Sequence, residues 1–250
     1  MVLLHGLTAT RRYVVMGSRR LERTDHRVIA YDARGHGGST PAPGRDAYGY
    51  EQLERDLEAV MDAFGIERAV LAGVSMGAHT ALRLALQSPA RVGGLVVITP
   101  GYDPATFDDP GRFIRWDALA DGLERDGAEG FVRAYGDGGV APRWREATLT
   151  AIRQRMELHR YPGAVADALR AVPRARPFGA LDQLRALSLP VTVVASGDEA
   201  DPGHPHALAE AYAAAIPGAL LLTDEPGSSP LAWQGSRLSA VIADVVGEAG

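Results

Sequence analysis

With 250 residues, 46% of them hydrophobic and 23% charged, the chain has the make-up of a globular protein that buries a core without staples. It contains no cysteine, which excludes disulfides, thiolate nucleophiles and cysteine-held metal and fits a reducing, cytoplasmic setting. A net charge of −5 with scattered basic residues argues against a nucleic-acid partner, the apolar runs are too short to span a bilayer, and no signal peptide is expected at the N-terminus.

The first hundred residues alternate strand and helix. Val2–Leu4 is a short apolar strand ended by glycine, residues 11–23 read as helical, and residues 27–31 read as a buried strand. A loop rich in Gly and Pro follows, from 32 to 49. Residues 51–64 place apolar side chains at 53, 57, 60, 61 and 64, the spacing of one helical face, and Gly65 stops that helix. Then come a strand at 69–72, a helix over Met76–Gln87 and a strand at 95–99. Apolar strands alternating with helices predict a parallel sheet covered on both faces.

From 101 to 187 the rhythm changes to a helical, Arg- and Ala-rich segment without a convincing strand. Val191–Ala195 restores the strand pattern, followed by a helix near 206–216, a strand at 219–223 and a terminal helix from about 235. The chain therefore reads as a core (1–100 and 188–250) with a helical cap inserted at 101–187.

Gly73-Val74-Ser75-Met76-Gly77 lies between a strand and a helix. A Gly-x-Ser-x-Gly sequence in that place is the nucleophile elbow, a turn so sharp that the serine is strained and its flanks must be small. The helix start behind it offers N–H groups to an oxyanion. Two further stretches, Leu3-Leu4-His5-Gly6-Leu7 and Tyr31-Asp32-Ala33-Arg34-Gly35-His36-Gly37-Gly38-Ser39, fall before it. In order and spacing the three motifs resemble those of the α/β-hydrolase superfamily, and the resemblance spans nearly the whole chain.

The resemblance implies an α/β fold with a mostly parallel sheet, helices on both faces and a helical cap. It implies Ser75 as nucleophile and the Leu7 and Met76 N–H groups as the oxyanion hole, each such donor being worth about 3 kcal/mol in acyl transfer. His5, His36 and Arg34 are expected to brace loops. Family members usually carry a β-hairpin before the strand that ends in His-Gly. Here that strand starts at residue 2, so the hairpin is expected to be missing, with a misassigned start site as the preferred reason.

The family's acid follows strand Val191–Ala195, where this chain reads Ser196-Gly197-Asp198-Glu199-Ala200-Asp201-Pro202-Gly203-His204-Pro205. Asp201 has the family's spacing to a proline and is preferred; Asp198, nearer the glycine, is the alternative. Asp103 occupies a rarer acid position and is expected to cap a helix of the insertion.

The general base should lie in the loop before the terminal helix, yet residues 224–233 contain no histidine, and none occurs after His206. His26, His79, His159, His204 and His206 carry no motif, and the expectation is that no histidine reaches Ser75. Without an adjacent base a serine hydroxyl is a poor nucleophile. The expected function is hydrolysis of small esters or related acyl compounds by Ser75 with an atypical or absent base. The alternatives are a ligand-binding pseudoenzyme and a lyase or cyclase on the same fold. A small-molecule substrate or ligand is the expected partner, no metal or organic cofactor is implied, and Phe107, Trp116, Tyr135 and Trp144 are expected either to line an apolar pocket or to form the core of the cap.

Overall fold

A computed structural model describes residues 1–225, 227–229, 233 and 235–249. Six strands form one all-parallel sheet in the order β2-β1-β3-β4-β5-β6: β1 (Val2–Leu4), β2 (Ile29–Ala30), β3 (Ala69–Val74), β4 (Val92–Ile98), β5 (Val191–Ala195) and β6 (Leu220–Thr223). β2 is shorter than the stretch 27–31 predicts, because only two residues pair with β1. Residues 11–23 do not form one helix. They hold two short 3₁₀ turns at Arg11–Tyr13 and Leu21–Arg23, and the latter buries only Leu21.

Alternate side chains of each inner strand go to opposite faces. Leu4, Leu71, Leu95, Val97 and Val193 pack against α1 (Tyr50–Ala63), α2 (Met76–Gln87) and α6 (His206–Ala215). Leu3, Ala72, Val96, Ile98 and Val194 pack against α7 (Ser236–Glu248). This double burial is why the strands read as continuous apolar runs rather than as an alternation. α1 ends where Gly65, at φ 63°, closes the turn, with the Gly65 and Ile66 N–H groups donating to the Asp62 and Met61 carbonyls.

Between β4 and β5 no strand occurs among the described residues. The segment folds as α3 (Gly111–Tyr135), α4 (Pro142–Glu157) and α5 (Pro162–Ala171). α3 breaks at Asp126–Gly127 and doubles back, its halves meeting at Gly122 and Gly130, where a side chain on either glycine would run into the other's carbonyl. Leu119, Leu123, Phe131, Ile152, Met156 and Leu169 of these helices form a cluster with Leu7 and Met76. The helical segment thereby sits over the carboxyl ends of β1 and β3, the edge at which parallel α/β sheets bind ligands.

Candidate active site

β1, β3, β4 and β5 are consecutive neighbours, so the loops leaving their carboxyl ends lie side by side. Ser75 leaves β3 with φ 48° and ψ −110°, a backbone conformation costing a non-glycine residue about 1–3 kcal/mol. Its N–H donates to the Ile98 carbonyl (2.9 Å), and its carbonyl accepts from the His79 N–H (3.0 Å). The flanking glycines are required by close approach: a Cβ on Gly73 would strike the Gly77 carbonyl, and one on Gly77 would strike the Leu4 carbonyl. Helix α2 therefore crosses β1 and β3 in direct backbone contact.

The His5-Gly6 loop lies against this turn; a Cβ built on Gly6 would stand 3.7 Å from Ser75 Cβ. Its outer side is held by histidines. His36 Nε2 lies 2.6 Å from the Leu7 carbonyl and its Nδ1 3.0 Å from the Arg34 carbonyl, and His159 Nε2 reaches the Thr8 carbonyl (3.3 Å). His5 Nε2 accepts from the Ala33 N–H (2.9 Å), which leaves Nδ1 to donate to the Gly6 carbonyl (2.8 Å). Burial lowers the pKa of His5 to about 3 and that of His159 to about 4, so both rings are neutral. Among the described residues no hydrogen bond runs from the Leu7 or the Met76 N–H to another group.

The loop after β5 brings the expectation about the base to its correction. His204 Nε2 lies 2.9 Å from Ser75 Oγ, and His204 Nδ1 lies 2.8 and 2.9 Å from the two carboxylate oxygens of Asp201. A carboxylate only accepts, so Nδ1 carries the proton and Nε2 presents its lone pair to the serine hydroxyl. Two successive turns achieve this within one loop. The Ala200 and Asp201 N–H groups donate to the Gly197 carbonyl, and the His204 N–H donates to the Asp201 carbonyl (3.0 Å), which places the two side chains three residues apart on one side.

To reach Ser75 from β5 the imidazole must pass over the end of β4, and the residue beneath it is Gly101. A Cβ there would sit 2.8 Å from His204 Cδ2. Burial on its own would lower the His204 pKa, but the charge of Asp201 and its hydrogen bond outweigh burial and raise it above the ordinary value. Burial likewise pushes the Asp201 pKa up, and the His204 charge and hydrogen bond overcome it, so the carboxyl titrates below its usual range.

The other candidates are spoken for. Asp198 Oδ1 accepts from the His206 N–H (2.7 Å) at the start of α6. Asp103 accepts from the Ala105 N–H (2.9 Å) and so closes a local turn rather than capping α3, which begins eight residues later. His206 lies 3.6 Å from Glu210 on its own helix, and His26 is exposed. His79 is buried under the site: Nε2 accepts from the Gly101 and Tyr102 N–H groups (3.2 Å each), and Nδ1 meets Tyr50 Oη (3.1 Å). Burial brings its pKa down to about 3, so it is a neutral acceptor that fixes the Gly101 backbone on which His204 rests.

Phe107 packs with Tyr102 and beneath Arg176 in the main core, whereas Trp116 and Tyr135 pack partly buried against the helical segment. Part of the loop that lacks a histidine, Pro226 and residues 230–232, lies outside the described residues. Among the described residues no group of three or more His, Asp or Glu side chains is placed to hold a metal ion, and no helix is long and apolar enough to cross a membrane.

Comparison with known proteins bears on the fold and the chemistry. A mouse protein named sn-1-specific diacylglycerol lipase ABHD11 is 40% identical over 114 residues, 42% of this chain and 36% of that protein. The 3-oxoadipate enol-lactonase 1 of Acinetobacter baylyi is 32% identical over 110 residues, 44% of this chain and 38% of that protein. The matches thus span little more than a third of these relatives' own lengths. The structure resembles that of a thermophilic esterase from Thermogutta terrifontis with a TM-score of 0.78 and 25% identity, covering 99% of this chain and 89% of the esterase. The family model described as alpha/beta hydrolase fold matches residues 1–234, nearly the full length of the chain. With that match over more than half of its length, and with its parallel sheet and strand–elbow–helix turn, the chain belongs to the alpha/beta hydrolase fold family.

Proposed function

We propose that the protein is a serine hydrolase of small esters or lactones in which Ser75 is the nucleophile, His204 the general base and Asp201 the group that orients it. The observation that carries this reading is the 2.9 Å contact between Ser75 Oγ and His204 Nε2, with His204 Nδ1 on Asp201. The names of the relatives, a lipase, an esterase and an enol-lactonase, all denote cleavage of an acyl–oxygen bond and support the substrate class.

The chemistry runs in two halves. Ser75 Oγ attacks the acyl carbon as its proton passes to His204 Nε2, and the carbonyl π bond opens to an oxyanion received by the Leu7 and Met76 N–H groups. Collapse breaks the acyl–oxygen bond, and the leaving alkoxide takes the proton from His204. A water then attacks the acyl-enzyme, gives its proton to His204 and releases the acid, the proton returning to Ser75. Asp201 remains ionised and stabilises the imidazolium. The helical segment at 101–187 serves as the cap, excluding water from this cycle. The binding-protein and lyase or cyclase readings rest on a vacant base position, and His204 at hydrogen-bond distance takes that ground away.

The test is a fluorophosphonate probe with peptide mapping, beside turnover of 4-nitrophenyl butyrate. The expected result is labelling at Ser75 alone, lost in Ser75→Ala together with at least about 10⁴-fold of the ester turnover. An unlabelled wild-type protein, or a Ser75→Ala variant with near-normal turnover, would refute the assignment.

A further inference from the structure

Helix α4 carries a feature that the serine chemistry leaves unused. Four buried side-chain polar atoms have no hydrogen-bond partner among the described residues, and three of them are on α4: Trp144 Nε1, Thr148 Oγ1 and Arg155 Nε. Spaced four and seven residues apart, they lie within roughly 40° of one another around the helix, so they form one row. All three can donate a hydrogen bond. Buried donors without acceptors are rare in folded proteins and call for a physical reason.

Arg155 is the informative member. Other part-buried arginines are anchored by their guanidinium groups: Arg170 binds Asp121 and Glu124, Arg34 binds Asp56 and the Ala47 carbonyl, and Arg91, whose Nε is the fourth of those atoms, still binds Asp62 and the Ile66 carbonyl. Arg155 has neither an ion pair nor a side-chain hydrogen bond among the described residues. Its place is fixed from both sides. Ile152 and Met156 are buried in the cluster that contains Leu7 and Met76, and His159, one turn on, holds the Thr8 carbonyl and accepts from the Gly37 N–H (3.0 Å). The guanidinium thus stands where the cap meets the oxyanion loop. The groups on which its charge acts include Tyr135, Tyr13, Asp201 and His204.

That position is costly for the reaction unless something offsets it. His204 must become an imidazolium, and the Arg155 charge opposes its protonation. An anionic group arriving with the substrate would give the Arg155 guanidinium, at the end of this row, an acceptor and would cancel this opposition. We propose that the inner face of α4 receives an anionic substrate and that the Arg155 guanidinium holds its carboxylate, so that the site prefers esters or lactones of dicarboxylic acids to neutral ones. This rests on the serine-hydrolase reading for the bond that is cleaved, but not for the binding of the anion.

Two esters test it: 4-nitrophenyl butyrate and the mono-4-nitrophenyl ester of adipic acid, whose chain is too long for ready attack by its own carboxylate. A charge-assisted contact predicts that the ratio of kcat/KM for the anionic over the neutral ester falls at least about tenfold in Arg155→Met, mainly through KM, and is partly restored in Arg155→Lys. Calorimetry with glutarate supplies a readout that needs no turnover: wild type and Ser75→Ala should bind it, and Arg155→Met should bind at least about tenfold more weakly. If both esters lose rate in parallel, or if glutarate binds Arg155→Met as well as wild type, the inference is overturned. If neither ester is turned over while the glutarate difference persists, the hydrolase reading fails and the anion site stands.

Discussion

The elbow and the loop after β5 both deliver a side chain to one point, by opposite means. At the elbow every small residue is demanded by backbone contact: Gly73 meets the Gly77 carbonyl and Gly77 meets the Leu4 carbonyl, which locks Ser75 into its strained turn. The loop from Ser196 to Pro205 is shaped by two hydrogen-bonded turns that many sequences could form, and Asp201 and His204 are partly exposed, with 33% and 25% of their side chains accessible. The proposed nucleophile, built by steric exclusion, should fail by unfolding when that exclusion is violated. An acid–base pair built by local turns should fail in chemistry while the fold survives.

The largest effect expected from that contrast is in Asp201→Asn. An amide lets the imidazole settle in the wrong tautomer and should cost about 10⁴ in kcat while the thermal midpoint stays within a few degrees. The same variant carries a pH signature. The proposed mechanism requires neutral His204, whose pKa Asp201 raises, so the wild-type rate should climb with pH through a midpoint above about 6.5. In Asp201→Asn the charge that raises it is gone, and the midpoint should move down. An unmoved acid limb would mean that another group titrates there.

Next in size is Gly77→Ala, where the added methyl meets the Leu4 backbone and cannot be relieved by a rotamer change. Denaturant unfolding should show a loss of about 3 kcal/mol or more, the range of severe core disruption. A fully stable, inactive variant would dissolve the contrast between the two regions.

Gly101→Ala sharpens it from the other side. The new Cβ would press on the His204 ring and push it off Ser75, and a displacement near 1 Å can cost about 10² in rate. Stability should hardly change, since the ring is partly exposed and can move. Equal activity in this variant would show that His204 does not work from the position over β4.

The same contrast explains what could be read from the amino acids alone. Ser75, Gly73 and Gly77 are legible because sterics permit few alternatives, and the parallel strands are legible because burial on both faces makes continuous apolar runs such as Val191–Ala195. His204 is not legible as a base. A hydrogen bond spanning 129 residues leaves no periodicity, and the familiar pattern directs attention to the loop after β6. The signal that could have found it is local: Asp201-Pro202-Gly203-His204 is a tight turn that puts a carboxylate and an imidazole side by side. Gly101 under the imidazole, a glycine with an unremarkable sequence context, marks where the site needs room, as Gly6 of the His-Gly stretch does beside Ser75. Residues 11–23 misled because their apolar members, Val14, Val15 and Leu21, fill the core from short turns rather than from a helix.

The central claim is that the base reaches Ser75 from β5 rather than from the loop after β6, and His204→Gln tests it most directly. Glutamine keeps a polar side chain at the position but cannot take the serine's proton. Turnover of 4-nitrophenyl butyrate should fall by about 10⁴ to 10⁶, to the level of Ser75→Ala, with the folded state intact by circular dichroism. A His204→Gln variant that retains turnover within tenfold of wild type would contradict the account and place the base elsewhere.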